Sequence, residues 1–250
     1  MLQKCPSVKL SISTALIDTL LRWLGTIPTP ALHNVEKALM IKRSMWHLNV
    51  DGVPGDYVEF GVASGNSLRS AEVFERRSQM KRVGINRIPR KLIGFDSFSE
   101  FVSSDATDNH PVWKGSDFSY DIAQVKRRFK RSLGKRIVIN QIDAQSLVNG
   151  DGSVRIPHER VGLSNQIALL LLDMDLYEPT IAALRWCRTR LQPGTIILCD
   201  EYFAFRGRTD RGEARAIEEF LAENSNVGLR IFGYYGSGGI AFIVSGTTNS

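Results

Sequence analysis

The period of apolar and polar positions changes several times along the chain. Residues 13–24 carry apolar side chains at helical spacing. Thr29-Pro30 then looks like a cap followed by proline at the first helical position, which predicts a helix from Ala31 to about His47. DGVPGD, residues 51–56, is turn chemistry and marks the boundary between a helical arm and the main domain. Beyond it short apolar runs alternate with helical periods. Strands are predicted over YVEFGV (57–62), KLIGFDSF (91–98), RIVINQID (136–143), QIALLLLDMD (166–175) and TIILCDEY (195–202). Helices are predicted over 67–77, 120–133, 179–191 and 212–223. The chain closes with LRIFGYY and GIAFIVS joined by GSGG, a hairpin.

Repeated βα units imply an α/β fold with a parallel sheet and helices on both faces. A run such as ALLLL fits a strand buried on both sides. The expected fold is a Rossmann-like seven-stranded sheet, mostly parallel with one antiparallel strand, preceded by the helical arm. Residues 1–50 form the arm and 51–250 the main domain. Two long loops, residues 99–119 and 150–164, are candidate binding loops.

Composition narrows this picture only a little. The 250 residues are 43% hydrophobic and 23% charged, with a net charge of +6. That is an ordinary globular mix. The cluster KRRFKRSLGKR (126–136) reads as a solvated helix face; it lacks the interleaved aromatics of a nucleic-acid surface. No apolar run approaches the roughly 20 residues of a membrane span. Cys5, Cys187 and Cys199 are widely spaced and suggest neither a disulfide framework nor zinc, so a cytoplasmic setting is expected.

The chemistry concentrates at strand ends. VEFGVASGNS (58–67) runs from a strand through a glycine-bearing turn into a helix, whose first amides suit an anionic group. Glu59 needs a reason to lie in an apolar strand. Asp96, in GFDSF, ends the second strand, where an acid is placed to bind a ribose. Phe95 and Phe98 flank an adenine or fill the core. Asp143 ends the third strand, beside a nucleobase or as an N-cap. Asp173 and Asp175 are two residues apart and share one side if the strand stays extended. Asp200 and Glu201 end the next strand, and neighbouring strand ends lie roughly 5 Å apart. Four crowded acids repel one another unless a divalent cation relieves them; oxygen ligands suit Mg²⁺. The alternative is pairing with Arg206, Arg208 or Arg211. Of four scattered histidines, only His110, in the first long loop, is a candidate near a substrate.

VEFGVASGNS, GFDSF, LDMDLYEPT and LCDEYF, in that order, resemble the macrocin O-methyltransferase family from about Asp56 onward. Seven strands with the last reversed is also the layout of class I S-adenosylmethionine-dependent methyltransferases. The resemblance implies use of S-adenosylmethionine and a divalent metal, usually magnesium, to methylate a sugar hydroxyl on a natural product. It implies metal ligation by Asp173, Asp200 and Glu201, with Asp175 as general base. It places the cofactor on Glu59, Gly61, Ser64, Gly65 and Ser67, with Asp96 on the ribose. Ser97, Phe98 and Asp143 complete the expected cofactor set. This chain departs from the family pattern in Glu201 for aspartate, Met174 for glycine and Pro179 for serine.

The expected partner is a small hydroxylated acceptor, with no nucleic acid or membrane, and the chain is expected to form a homo-oligomer. Two alternatives stand beside the sugar reading: a catechol or vicinal-diol acceptor, and a protein that keeps the fold and cofactor but has lost catalysis.

Overall fold

The computed structural model describes residues 12–77, 87–99, 110 and 120–246. Cys5 lies outside them, as does the first long loop apart from Ser99 and His110. Among the described residues, seven strands form one sheet: β1 (Asp56–Phe60), β2 (Leu92–Asp96), β3 (Ile137–Gln141), β4 (Ile167–Leu172), β5 (Ile196–Cys199), β6 (Leu229–Tyr235) and β7 (Gly239–Val244). Their order is β3-β2-β1-β4-β5-β7-β6. β1 to β5 pair in parallel, and β7 runs antiparallel to both β5 and β6. The expected seven-stranded sheet with one reversed strand is therefore present. The crossover between β3 and β4 returns the chain to the middle of the sheet, so the β1 and β4 ends face one crevice.

The helices are α1 (Ile12–Leu24), α2 (Thr29–Val50), α3 (Asn66–Arg77), α4 (Ile122–Arg128), α5 (Tyr177–Cys187), a short α6 (Ala204–Gly207) and α7 (Gly212–Glu223). β4 shows why the sheet is buried twice over. All six residues of IALLLL are fully buried. Leu170 and Leu172 pack in one cluster with Ile181, Trp186 and Phe220 of α5 and α7. Leu169 and Leu171 pack in the other with Met40, Ile41 and Leu48 of α2 and Leu68 of α3. Each fully buried leucine contributes about 1.5–3 kcal/mol of gross transfer energy. Phe95, expected beside an adenine or in the core, is core: it stacks on Phe60 and meets the edge of Trp186.

Several elements differ from expectation at their ends. α2 runs past His47 to Val50, where Asp51 and Gly52, at φ +67°, turn the chain. α4 covers only Ile122–Arg128 of the expected 120–133, and Phe129 and Ser132 in the turns that follow are buried. Ser132 donates to buried Glu72 and Arg136 pairs with Glu75, so part of the basic cluster is structural. β4 stops at Leu172 instead of running on to residue 175.

Candidate active site

The end of β4 explains how its acids are presented. The Asp173 amide still donates to Phe60 O (3.0 Å), and the Asp200 amide donates to Leu172 O (3.0 Å). Asp175 then takes φ +64°, a left-handed conformation uncommon outside glycine. The premise of an extended strand, with both carboxylates on one side, is corrected here: the chain turns. Leu176 N donates to Met174 O (2.7 Å) within that turn. A neighbouring constraint is Gly61, at φ +90°, where an added Cβ would stand 1.9 Å from Asp173 O. Only glycine lets the β1 turn and the β4 end approach this closely.

Asp173, Asp175, Asp200 and Glu201 all line one cleft of about 730 Å³. Two of their partners come from the helical arm. Lys37 Nζ lies 2.7 Å from Asp173 Oδ2 and 2.5 Å from Asp200 Oδ2. His33 Nε2 lies 2.9 Å from the same Asp200 oxygen. The His33 Nδ1 accepts from Ser237 N (3.1 Å), so neutral His33 carries its proton on Nε2 and donates it to Asp200. Arg208 is occupied by Asp210. Among the described residues His33 is a histidine at the site, and the His110 ring meets Phe205 edge-on.

Sequence reasoning misses both His33 and Lys37. A signal existed: His33, Lys37, Met40, Ile41, Ser44, Met45, Leu48 and Asn49 form the buried face of α2, and its first two members are the titratable ones.

Five carboxyl groups share this region once Glu213 is counted, with the Lys37 ammonium and the His33 imidazole among them. Burial, then the charges of Glu201 and Asp200, push Asp175 up to about 8. Burial, then Asp200, push Glu201 up to about 7. Glu213, buried beside Asp175 and Asp200, is also raised; it accepts the Glu201 amide (3.0 Å). Burial raises Asp173 as well, with Asp200 adding to it. Asp200 goes the other way: burial is outweighed by the hydrogen bond from His33 and the charge of Lys37, so it stays ionised. The Asp200 Oδ1 is buried without a hydrogen-bond partner. His33, Asp200 and Glu201 offer ligand atoms within 4.8 Å of one another. An acid-rich set with an orphaned buried oxygen fits a divalent cation. The nitrogen of His33 means that the available donors are not oxygen alone, so metals that accept imidazole are also compatible.

The other end of the cleft carries the expected cofactor residues. Gly61, Ser64, Ser67, Asp96, Ser97 and Asp143 line it; Glu59, Gly65 and Phe98 do not. Glu59 is fully buried behind the turn, its oxygens accepting from Tyr57 and Ser67 hydroxyls. Burial pushes it up to about 7, with those two hydrogen bonds opposing. Gly65 takes φ +80° against the Phe129 ring, just before α3. Asp96 accepts the Ala63 amide (2.7 Å) on one oxygen and the Phe98 amide (2.6 Å) on the other. Burial raises it, with those amides opposing. A carboxylate pinned in this way at a strand end has lone pairs left for hydroxyl donors. Asp143 accepts the Gln145 amide (3.0 Å), so it does cap the short helical turn while also lining the cleft.

Solved structures share this architecture. The O-methyltransferase NovP superposes with a TM-score of 0.63 at 16% identity, over 84% of this chain and 80% of that one. The calicheamicin methyltransferase CalS11 gives 0.62 at 22% identity, over 96% and 98%. The fold is that of the Rossmann-like methyltransferases. Residues 28–226 match the model of the macrocin-O-methyltransferase (TylF) family, and the chain belongs to that family. A curated relative from Streptomyces olivaceus, 8-demethyl-8-(2,3-dimethoxy-alpha-L-rhamnosyl)-tetracenomycin-C 4'-O-methyltransferase, is 30% identical over 160 residues. That stretch covers 61% of this chain and about half, 54%, of the relative.

Proposed function

We propose that this protein is an S-adenosylmethionine-dependent O-methyltransferase that uses Mg²⁺ or another divalent cation and acts on a sugar hydroxyl of a glycosylated natural product. The observation that carries the reading is the carboxylate cluster, with its orphaned Asp200 oxygen, in the same cleft as the glycine turn and Asp96. Family membership and the rhamnosyl acceptor in the relative's name favour a sugar over a catechol.

When bound, S-adenosylmethionine supplies an electrophilic sulfonium methyl group, and the cation supplies charge that acidifies a hydroxyl. The Gly61–Ser67 turn and Asp96 hold and orient the donor, with Glu59 bracing Ser67 from behind. Asp173, Asp200 and Glu201 hold the cation. Asp175 accepts the acceptor's hydroxyl proton on its carboxylate. In the metal-free chain Asp175 titrates at about 8 and is largely protonated at neutral pH. Positive charge nearby lowers that pKa and enlarges the ionised, proton-accepting fraction.

Within the arm proposed over residues 1–50, α2 forms part of the cleft wall through Thr29, Pro30, His33, Asn34 and Lys37. A homo-oligomer is supported by α1, whose Leu16, Leu20 and Trp23 are exposed at helical spacing. No helix among the described residues is long and apolar enough to cross a membrane. A cytoplasmic setting accords with Cys187 and Cys199, both free and buried.

Acceptor profiling tests the reading. Incubation with S-adenosylmethionine, Mg²⁺ and a panel of rhamnosylated aglycones and catechols is expected to add one methyl group to a sugar hydroxyl. Methylation of catechols alone would transfer the function to vicinal diols. Binding of S-adenosylmethionine without metal binding or turnover would mark a protein that has kept the fold and lost the chemistry.

A further inference from the structure

His33 and Lys37 stand four residues apart on one face of α2, so both reach the same place. That place is the gap between the ends of β4 and β5. The Lys37 ammonium is 2.7 Å from Asp173 Oδ2 and 2.5 Å from Asp200 Oδ2, with its side chain 9% exposed. Its nitrogen thus sits where two carboxylates converge on one cation. Asp173 and Asp200 are also residues that would hold a divalent cation. Ammonium and ion cannot occupy one position between the same pair of oxygens.

Two features mark Lys37 as more than a core ion pair. It contacts Asp173 and Asp200 at once, and these are the strand-end acids expected to ligate metal. It also leaves Asp200 Oδ1 unpartnered, although Asp200 is only 2% exposed. The cluster is therefore held together but left undercompensated, with a carboxylate oxygen still free to take a ligand.

We propose that Lys37 is a tethered counter-ion that occupies the divalent-cation position in the metal-free protein and must release Asp173 or Asp200 when a metal ion binds. This rests on the metal-dependent reading of the site. It makes the ammonium a competitor that lowers metal affinity and a placeholder that keeps the carboxylates assembled meanwhile. It also couples metal loading to α2, because Thr29, Pro30 and Asn34 on the same helix form part of the cleft wall.

Magnesium titration by calorimetry on the full-length chain, stripped with EDTA and without S-adenosylmethionine, tests this. Lys37→Met removes the charge and keeps an apolar stem. It is expected to bind Mg²⁺ tighter than wild type by roughly tenfold or more, the scale of one lost charge-assisted hydrogen bond. Its melting temperature in EDTA should fall below that of wild type and recover on adding Mg²⁺. Lys37→Arg keeps the charge and should bind Mg²⁺ no tighter than wild type. Wild type that binds Mg²⁺ while Lys37→Met binds it equally or more weakly would overturn the proposal alone. A gain in Lys37→Arg as large as in Lys37→Met would overturn it too. If Lys37→Met fails to fold in EDTA, recovery of folding by Mg²⁺ is the expected result and failure to recover is the contrary one. Absence of Mg²⁺ binding in wild type and in both variants would remove the metal-dependent reading and this proposal together.

Discussion

Asp175 and Asp96 are both partly shielded acids on one cleft, and the proposed function gives them different work that their surroundings support. Asp96 has each oxygen held by a backbone amide, which fixes a binding group. Asp175 has its pKa raised to about 8 by burial and by Glu201 and Asp200, which suits a group that exchanges a proton. Replacing Asp175 by Asn should cut turnover by about 10²-fold or more, the usual scale for a general base. Its affinity for S-adenosylmethionine should stay near wild type in calorimetry. Asp96→Ala should instead weaken cofactor binding by roughly tenfold or more. Loss of cofactor affinity alone in both variants would refute this division. The acids were legible in the sequence because a carboxylate at the end of an apolar run is costly without a purpose. His33 and Lys37 were not, because a polar residue on a helix gives no sign of which distant strand it meets. Their place as the two titratable residues on the buried face of α2 distinguishes them.

The elements themselves were readable where period and punctuation agreed. α7 begins at Gly212 and ends at Glu223, and β6 spans Leu229–Tyr235, both as expected. The strand ends were less readable, because hydrophobicity continues past the last ladder bond. β4 shows the consequence: LDMD looks like more strand, but the chain turns at Asp175 to present the acid. The turn after β1 depends on Gly61. Alanine there has to adopt a positive φ, a cost on the order of 1 kcal/mol. Its Cβ would also meet Asp173 O at 1.9 Å. Thermal unfolding of Gly61→Ala should therefore show a clearly lower melting temperature together with weakened S-adenosylmethionine binding. An unchanged melting temperature would show that the two turns can separate freely.

At the scale of the whole molecule, strand direction followed from alternation, βα repeats implying the parallel strands and the final hairpin the reversed β7, while the strand order did not. Less visible was how far the arm enters the core, where Met40, Ile41, Met45 and Leu48 of α2 pack against Leu169 and Leu171. The acids also leave a global signature. Asp175 and Glu201 titrate at about 8 and about 7 in the folded, metal-free chain. Unfolded carboxyls titrate near 4. Between those values the folded state holds more protons than the unfolded state, so stability declines as pH rises. The metal-free protein should melt at a progressively lower temperature from about pH 5 to about pH 8.5. Saturating Mg²⁺ should flatten that slope, since a bound cation favours the ionised acids. A melting temperature that rises over this window without metal would contradict the assignment of these charges.

The central claim is that carboxylates from β4 and β5 hold a divalent ion where a hydroxyl meets the methyl donor. The most direct measurement is methyl transfer to a rhamnosylated acceptor by EDTA-stripped protein, followed by mass spectrometry across a magnesium titration. No methylated sugar is expected before metal is added, with full recovery as the site fills. Undiminished methylation in excess EDTA would contradict it.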